Sequence, residues 1–195
     1  MNLPNKLTVG RIVLVPFFVA ALLIDFPCNY IVALLLFIVA SITDMLDGKI
    51  ARKRNLVTDF GKFADPLADK ILVLSAFLCF VQLGLCDCVS VILVLFREFS
   101  VTSVRLIAAS KGEVVAANIW GKIKTVTQMI AIILILVLQA VLQLCGMGIF
   151  GAVDIQMLSG IFTAIGIGAI WISNIFTVLS GAVYFVQNKK FISDM

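Results

Sequence analysis

At 195 residues, 62% of them hydrophobic and only 13% charged, the chain has room for one domain and a composition that excludes an ordinary soluble globular protein. Mean hydropathy is +1.16 and the formal net charge is +4. No histidine is present, which removes histidine general bases, Ser-His-Asp and Cys-His nucleophiles, and His-ligated zinc.

The apolar runs are long and continuous, without the alternation of barrel strands. The expected fold class is therefore all-α: a polytopic membrane protein, one domain over residues 1–195, built as a bundle of six transmembrane helices. With about 20 residues needed per crossing, the spans read as about 10–25, 29–48, 66–85, 88–109, 122–145 and 158–186. The first follows Met1-Asn2-Leu3-Pro4-Asn5-Lys6 and shows no small-residue cleavage pattern before Asp25, so it reads as a span rather than a leader. No internal repeat, low-complexity tract or interdomain linker interrupts the order.

The end of the second span and the start of the third carry a ladder of acids, Asp44, Asp47, Asp65 and Asp69. Asp44, Asp47, Gly48, Ala51 and Arg52 recur at i, i+3, i+4, i+7 and i+8, one stripe of a helix. Gly61, Asp65 and Asp69 recur at i, i+4 and i+8, one stripe of the next. Carboxylates in a greasy chain are expensive and mark function. An all-oxygen donor set favours Mg²⁺, Mn²⁺ or Ca²⁺ over zinc or copper. Clustered carboxylates repel unless cations neutralise them; two divalent ions between the helices would do so and would suit a reaction at phosphorus. Small residues on both stripes let the helices approach or leave room for a ligand, and Arg52 is placed to pair with a phosphate. The plain alternative is a set of interfacial acids paired with nearby Lys and Arg.

The fourth and fifth spans carry a second polar block. Arg97 and Arg105 lie eight residues apart on one face; Lys122, Lys124, Thr125 and Gln128 follow near the next helix start. Together they form a candidate cationic pocket suited to a phosphorylated ligand. Glu98 is an alternative partner for one of the arginines. Lys111, Lys189 and Lys190 read as flanking charge.

The fifteen basic residues all fall on one side of this span map. The opposite turns carry only Asp25, Asp87 and Asp154. The positive-inside rule then places both termini, the basic loops and the aspartate ladder on the cytoplasmic side of a plasma or inner membrane. That face is suited to anionic lipid heads and phosphorylated substrates. The cysteines Cys28, Cys79, Cys86, Cys88 and Cys145 lack zinc spacing; a disulfide among Cys28, Cys86, Cys88 and Cys145 is open if the far side is oxidising.

The run Asp44-x2-Asp47-Gly48-x2-Ala51-Arg52-x8-Gly61-x3-Asp65-x3-Asp69 resembles the signature of the CDP-alcohol phosphatidyltransferase family, with every position met. The resemblance implies six transmembrane helices and transfer of a phosphatidyl group from CDP-diacylglycerol to an alcohol, with release of CMP. It implies Asp44, Asp47 and Asp65 as ligands to Mg²⁺ or Mn²⁺, with Asp69 close enough to ligate and acting as general base. Asp44, Asp47, Gly48, Ala51, Arg52, Gly61 and Asp65 would bind the CDP moiety. Independently, a chain without histidine needs a carboxylate to take the acceptor's proton.

The Arg97-Glu98-Phe99 start, the later Arg105, the Ala108-Ala109 pair and the Gly121-Lys122-Ile123-Lys124-Thr125 run are similar to the branch of that family whose acceptor is sn-glycerol 3-phosphate. So is the N-terminal Asn2-Leu3-Pro4-Asn5-Lys6-Leu7-Thr8 with Arg11. Thr102-Ser103-Val104 departs from the Ser-Gly-Leu-like run expected there. Arg97, Arg105, Lys122, Lys124 and Thr125 would then hold the acceptor phosphate. The implied partners are the two substrates, membrane lipids and a second copy of the chain as a homodimer, with no nucleic acid. Rival readings are other branches of the family, making phosphatidylserine, phosphoinositide or cardiolipin, and a small ion carrier using the acids as a coupling site. The carrier predicts charges deep in several spans; here the polar groups gather at one face.

Overall fold

The computed structural model describes residues 3–54, 59–113, 118–148 and 154–189; side chains at 3–4, 45–54, 59–66 and 69 lie outside the described residues. The described residues form six helices and no strand: α1 (Leu3–Leu23), α2 (Asn29–Arg54), α3 (Asp59–Gln82), α4 (Cys88–Ser110), α5 (Ile119–Gly146) and α6 (Ile155–Gln187). Their order matches the six expected segments. The clearest differences are at the ladder, where α2 runs on to Arg54 and α3 starts at Asp59. Lys49, Ala51, Arg52, Lys53 and Arg54 are good helix formers, so α2 continues where its apolar run stops. Both ladder halves therefore ride on unbroken helix.

Asn5–Leu23, Ile119–Gly146 and Ile155–Gln187 are long and apolar enough to cross a membrane; Asn29–Asp44 and Lys70–Gln82 are shorter apolar stretches. The exterior agrees with a lipid solvent. Phe17, Phe96, Phe99, Leu106 and Val186 stand exposed on the helix surfaces, where bilayer acyl chains meet them without penalty.

The core sits between α1, α2, α3 and α5. Phe18, Phe37, Phe77, Phe80, Ile132 and Leu136 are fully buried there, and the Phe18 and Phe37 rings meet tilted at 46°, centroids 5.7 Å apart. A smaller cluster joins α4 to α6 through Val101, Val104, Ala108 and Tyr184. On α6, Gly166 lets α5 come close: a Cβ there would meet Ile135 Cγ1 at 3.0 Å. That spacing fits small-residue packing of apolar helices.

Helix starts are set by side-chain caps. Asp87 Oδ1 accepts the Ser90 N–H at 2.8 Å and Asp154 Oδ1 accepts those of Gln156 and Met157 at 3.1 Å; Asn118 caps α5 through the Trp120 N–H at 3.3 Å. At the end of α4, Gly112 takes φ +75°, which lets the Glu113 N–H close on the Ala108 carbonyl at 2.9 Å. All five cysteines are free thiols, so the open question of a disulfide is answered in the negative for this structure.

Candidate active site

A cavity of about 730 Å³ opens at the end of the bundle where the basic residues gather, walled by α1 through α6. Its wall mixes apolar residues, among them Phe37, Leu72, Val94 and Met129, with charged ones.

From α1 comes Arg11, whose side chain is fully buried and whose Nη1 lies 2.6 Å from Asp44 Oδ1 on α2. A guanidinium in an apolar helix is tolerable only when paired, and the ladder's first carboxylate supplies the pair. Asp44 itself remains 42% exposed and lines the cavity beside Ser41, one turn back on the same face.

From α4, α5 and α3 comes a tight charged cluster. Glu98 Oε1 accepts from Arg97 Nη1 at 2.8 Å and from Lys124 Nζ at 2.5 Å. Glu98 Oε2 lies 3.8 Å from Lys70 Nζ, which donates to Thr102 Oγ1 at 2.5 Å. Arg97 also donates through Nη2 to Ser180 Oγ of α6 at 2.6 Å. Two glycines make its slot: a Cβ at Gly121 would stand 3.4 Å from Arg97 Nη2, and one at Gly181 3.4 Å from Arg97 Cγ. Arg105 lies over the Tyr184 ring, 5.7 Å from its centroid, a cation–π placement that leaves its N–H donors available. Lys122 and Thr125 complete the wall; the Thr125 hydroxyl donates back to the Gly121 carbonyl at 3.0 Å.

The sequence-derived sites divide accordingly. Arg97, Arg105, Lys122, Lys124 and Thr125 all line one cavity, and Asp44 lines it too. The side chains of Asp47, Gly48, Ala51, Arg52, Gly61, Asp65 and Asp69 lie outside the described residues. Among the described residues no group of three or more metal-binding side chains forms. The alternative partner for an arginine is realised: Glu98 takes Arg97, together with Lys124, and not Arg105.

The sequence reading did not single out as site residues Arg11, Lys70, Ser180, Gly181 and Tyr184, all of which stand at or behind this wall. Two signals were available for them. Arg11 is a lone base inside an apolar run. Ser173, Asn174, Thr177, Ser180, Gly181 and Tyr184 recur at helical spacing in α6 and are all buried, so the polar stripe of that helix faces inward.

Comparison with known proteins places this arrangement. The family model for CDP-alcohol phosphatidyltransferase matches residues 1–179. The chain belongs to the CDP-alcohol phosphatidyltransferase family. Among its relatives, a Bacillus subtilis protein named CDP-diacylglycerol–glycerol-3-phosphate 3-phosphatidyltransferase is 43% identical over 199 aligned residues, covering 96% of this chain and 95% of the relative. A protein of the same name from Rickettsia bellii is 36% identical over 97% of both chains. A Mycobacterium tuberculosis protein named probable phosphatidylglycerophosphate synthase is 41% identical over 67% of this chain and 64% of its own length. In this phosphatidyltransferase, then, the first signature aspartate and the cationic wall share one opening at one end of the bundle: Asp44 and the five cation-pocket residues line it together.

Proposed function

We propose that this chain transfers the phosphatidyl group of CDP-diacylglycerol to sn-glycerol 3-phosphate, giving phosphatidylglycerophosphate and CMP in phosphatidylglycerol biosynthesis. The observation that carries the choice of a phosphorylated alcohol is the cationic wall of the cavity, Arg97, Arg105, Lys122 and Lys124. Arg97 and Lys124 are matched by Glu98; a neutral alcohol would leave Arg105 and Lys122 unmatched, and a phosphomonoester fits them. Near-full-length similarity to proteins named for this reaction supports the same choice.

The donor side rests on the ladder. Asp44 turns a partly exposed carboxylate to the cavity, and oxygen donors without Cys or His are the chemistry that Mg²⁺ or Mn²⁺ takes. Asp44, Asp47, Asp65 and Asp69 would hold two such ions. When bound, the metals supply positive charge against the diphosphate and the departing CMP. Gly48, Ala51, Arg52 and Gly61 would border the nucleotide. In the reaction, the hydroxyl of glycerol 3-phosphate gives its proton to Asp69 and its oxygen bonds to the phosphorus of the phosphatidyl group. The bond from that phosphorus to the CMP oxygen breaks, and CMP leaves. Arg105 and Lys122 hold the acceptor's own phosphate so that the hydroxyl faces that phosphorus.

The enzyme is read as a six-span protein of the plasma or inner membrane with both termini and the cavity on the cytoplasmic side. The one-sided distribution of Lys and Arg supports that orientation. A homodimer accompanies the reading by family resemblance. The test is CMP release by purified protein from CDP-diacylglycerol with Mg²⁺ or Mn²⁺ and one acceptor at a time. Glycerol 3-phosphate is expected to be used. CMP release with serine or inositol phosphate and none with glycerol 3-phosphate would overturn the assignment in favour of another family branch.

A further inference from the structure

Six cations line the cavity, and they are not equivalent: Arg11 is paired with Asp44. Glu98 meets one from each of three helices: Arg97 of α4 at 2.8 Å, Lys124 of α5 at 2.5 Å and Lys70 of α3 at 3.8 Å. The Glu98 and Lys124 side chains are only 13% and 6% exposed. Without the carboxylate, the two nearer cations would face each other nearly out of water, an arrangement that is strongly unfavourable. Arg105 and Lys122 are different. Both are exposed to the cavity, and among the described residues neither has a carboxylate within ion-pair distance. Arg105 rests on the Tyr184 face, which holds it in place and leaves its N–H donors for something else.

We propose that Glu98 is a positioning and specificity residue of the acceptor subsite: it ties Arg97, Lys124 and Lys70 into a fixed wall and leaves Arg105 and Lys122 as the pair that receives a phosphomonoester. Two unpaired cations stand opposite a group carrying about −1.5 to −2 charge at neutral pH, which matches a terminal phosphate better than a phosphodiester. Arg97 is held on its far side by Ser180 and by the Gly121 and Gly181 slot, so the wall is built from four helices with Glu98 at its centre. Glu98 touches neither reacting atom in this account; it acts through the cations it orders. The inference rests on the phosphatidyl-transfer reading of the cavity and adds a residue to it.

The experiment compares wild type, Glu98→Gln and Glu98→Asp in detergent, measuring kcat, KM for glycerol 3-phosphate, KM for CDP-diacylglycerol and the inhibition constant of inorganic phosphate. For E98Q, the KM for glycerol 3-phosphate and the phosphate inhibition constant should both rise on the order of ten-fold. The KM for CDP-diacylglycerol and kcat should stay within about two-fold, since a tenfold change is one decade of binding at one subsite. E98D, which keeps the charge on a shorter stem, should fall between. If E98Q does not fold, a rise of at least about three-fold in the acceptor KM of E98D, with kcat kept, supports the role. Unchanged acceptor KM and phosphate inhibition in the variant that folds overturns it, as does an equal rise in both KM values or a fall in kcat with both KM values unchanged. A wild-type protein that uses no phosphorylated acceptor defeats the underlying reading instead, and that result is visible before any variant is made.

Discussion

The two ends of this bundle use carboxylates for opposite purposes. At the end of the three acidic turns, Asp87 and Asp154 cap the helices that follow: Asp87 accepts the N–H and hydroxyl of Ser90, and Asp154 the N–H groups of Gln156 and Met157. At the basic end, Asp44 and Glu98 point at side-chain cations, Arg11 and Lys124 on other helices and Arg97 beside Glu98 on its own. The first kind starts a helix and is complete by itself. The second joins helices around a cavity and leaves polar surface facing it. An acid's role in a greasy chain is therefore told by the donor it meets, and the donors differ systematically between the two ends.

The largest effect expected to sharpen that contrast is at the ladder. Asp69→Asn should lower the rate of CMP release by roughly 10²–10⁴-fold, the range for losing a general base, in a protein that still folds. Near-full activity with Mg²⁺ or Mn²⁺ would remove Asp69 from that role. A thiol comparison comes next. Burial, with the Asp87 charge beside it, pushes the Cys86 thiol up to about 12, while Cys88 two residues on is exposed. A membrane-impermeant maleimide applied from the side opposite the N-terminus should label Cys88 at least about a hundred-fold faster than Cys86. Labelling of Cys88 only from the N-terminal side would contradict the six-span orientation.

Smaller effects separate the two kinds of acid. Arg11→Met removes the cation from a charge-assisted bond whose other member is partly in water. It should lower unfolding stability by about 2 kcal/mol, read as a fall in Tm in detergent, and should reduce activity through Asp44. Asp87→Ala should cost about 1 kcal/mol, a lost cap, with kcat and both KM values unchanged. For Asp87, burial works against the charged form. The hydrogen bonds from the Ser90 N–H and hydroxyl outweigh it and hold the carboxyl below the usual range. Its stabilising contribution is thus full above the unfolded carboxylate value and is lost as pH falls through the folded one. The alanine variant should show a shallower loss of Tm on the acid side. A large activity loss in Asp87→Ala would erase the distinction between the ends.

Much of this was legible in the residues because periodicity and charge both survive folding unchanged. Long apolar runs gave the six helices in order, and the one-sided bases marked the end that holds the cavity. Arg97, Arg105, Lys122, Lys124 and Thr125 were found as one set because helical spacing puts the two arginines on one face and chain order brings the next helix start after them. Helix limits near Asp44 were less legible, since hydropathy ends at the charged residues while helical propensity does not. Partners across long separations were not legible at all. Arg97 bonds to Ser180, 83 residues away, and Arg105 lies on Tyr184; only the packing of α4 on α6 decides those pairs. Arg11 escaped for the same reason, although a lone arginine in an apolar helix announced that some carboxylate had to meet it.

The central claim is that the cation pocket seats the phosphate of the acceptor and not that of the lipid donor. Arg105→Ala tests it most directly, because Arg105 meets no carboxylate among the described residues and its loss strands no buried partner charge. With CDP-diacylglycerol as donor, the KM for glycerol 3-phosphate should rise about ten-fold or more, as expected for a lost charged contact of 1.5–3 kcal/mol. The KM for CDP-diacylglycerol should not change. An unchanged KM for glycerol 3-phosphate, or a rise confined to the lipid substrate, would contradict the account.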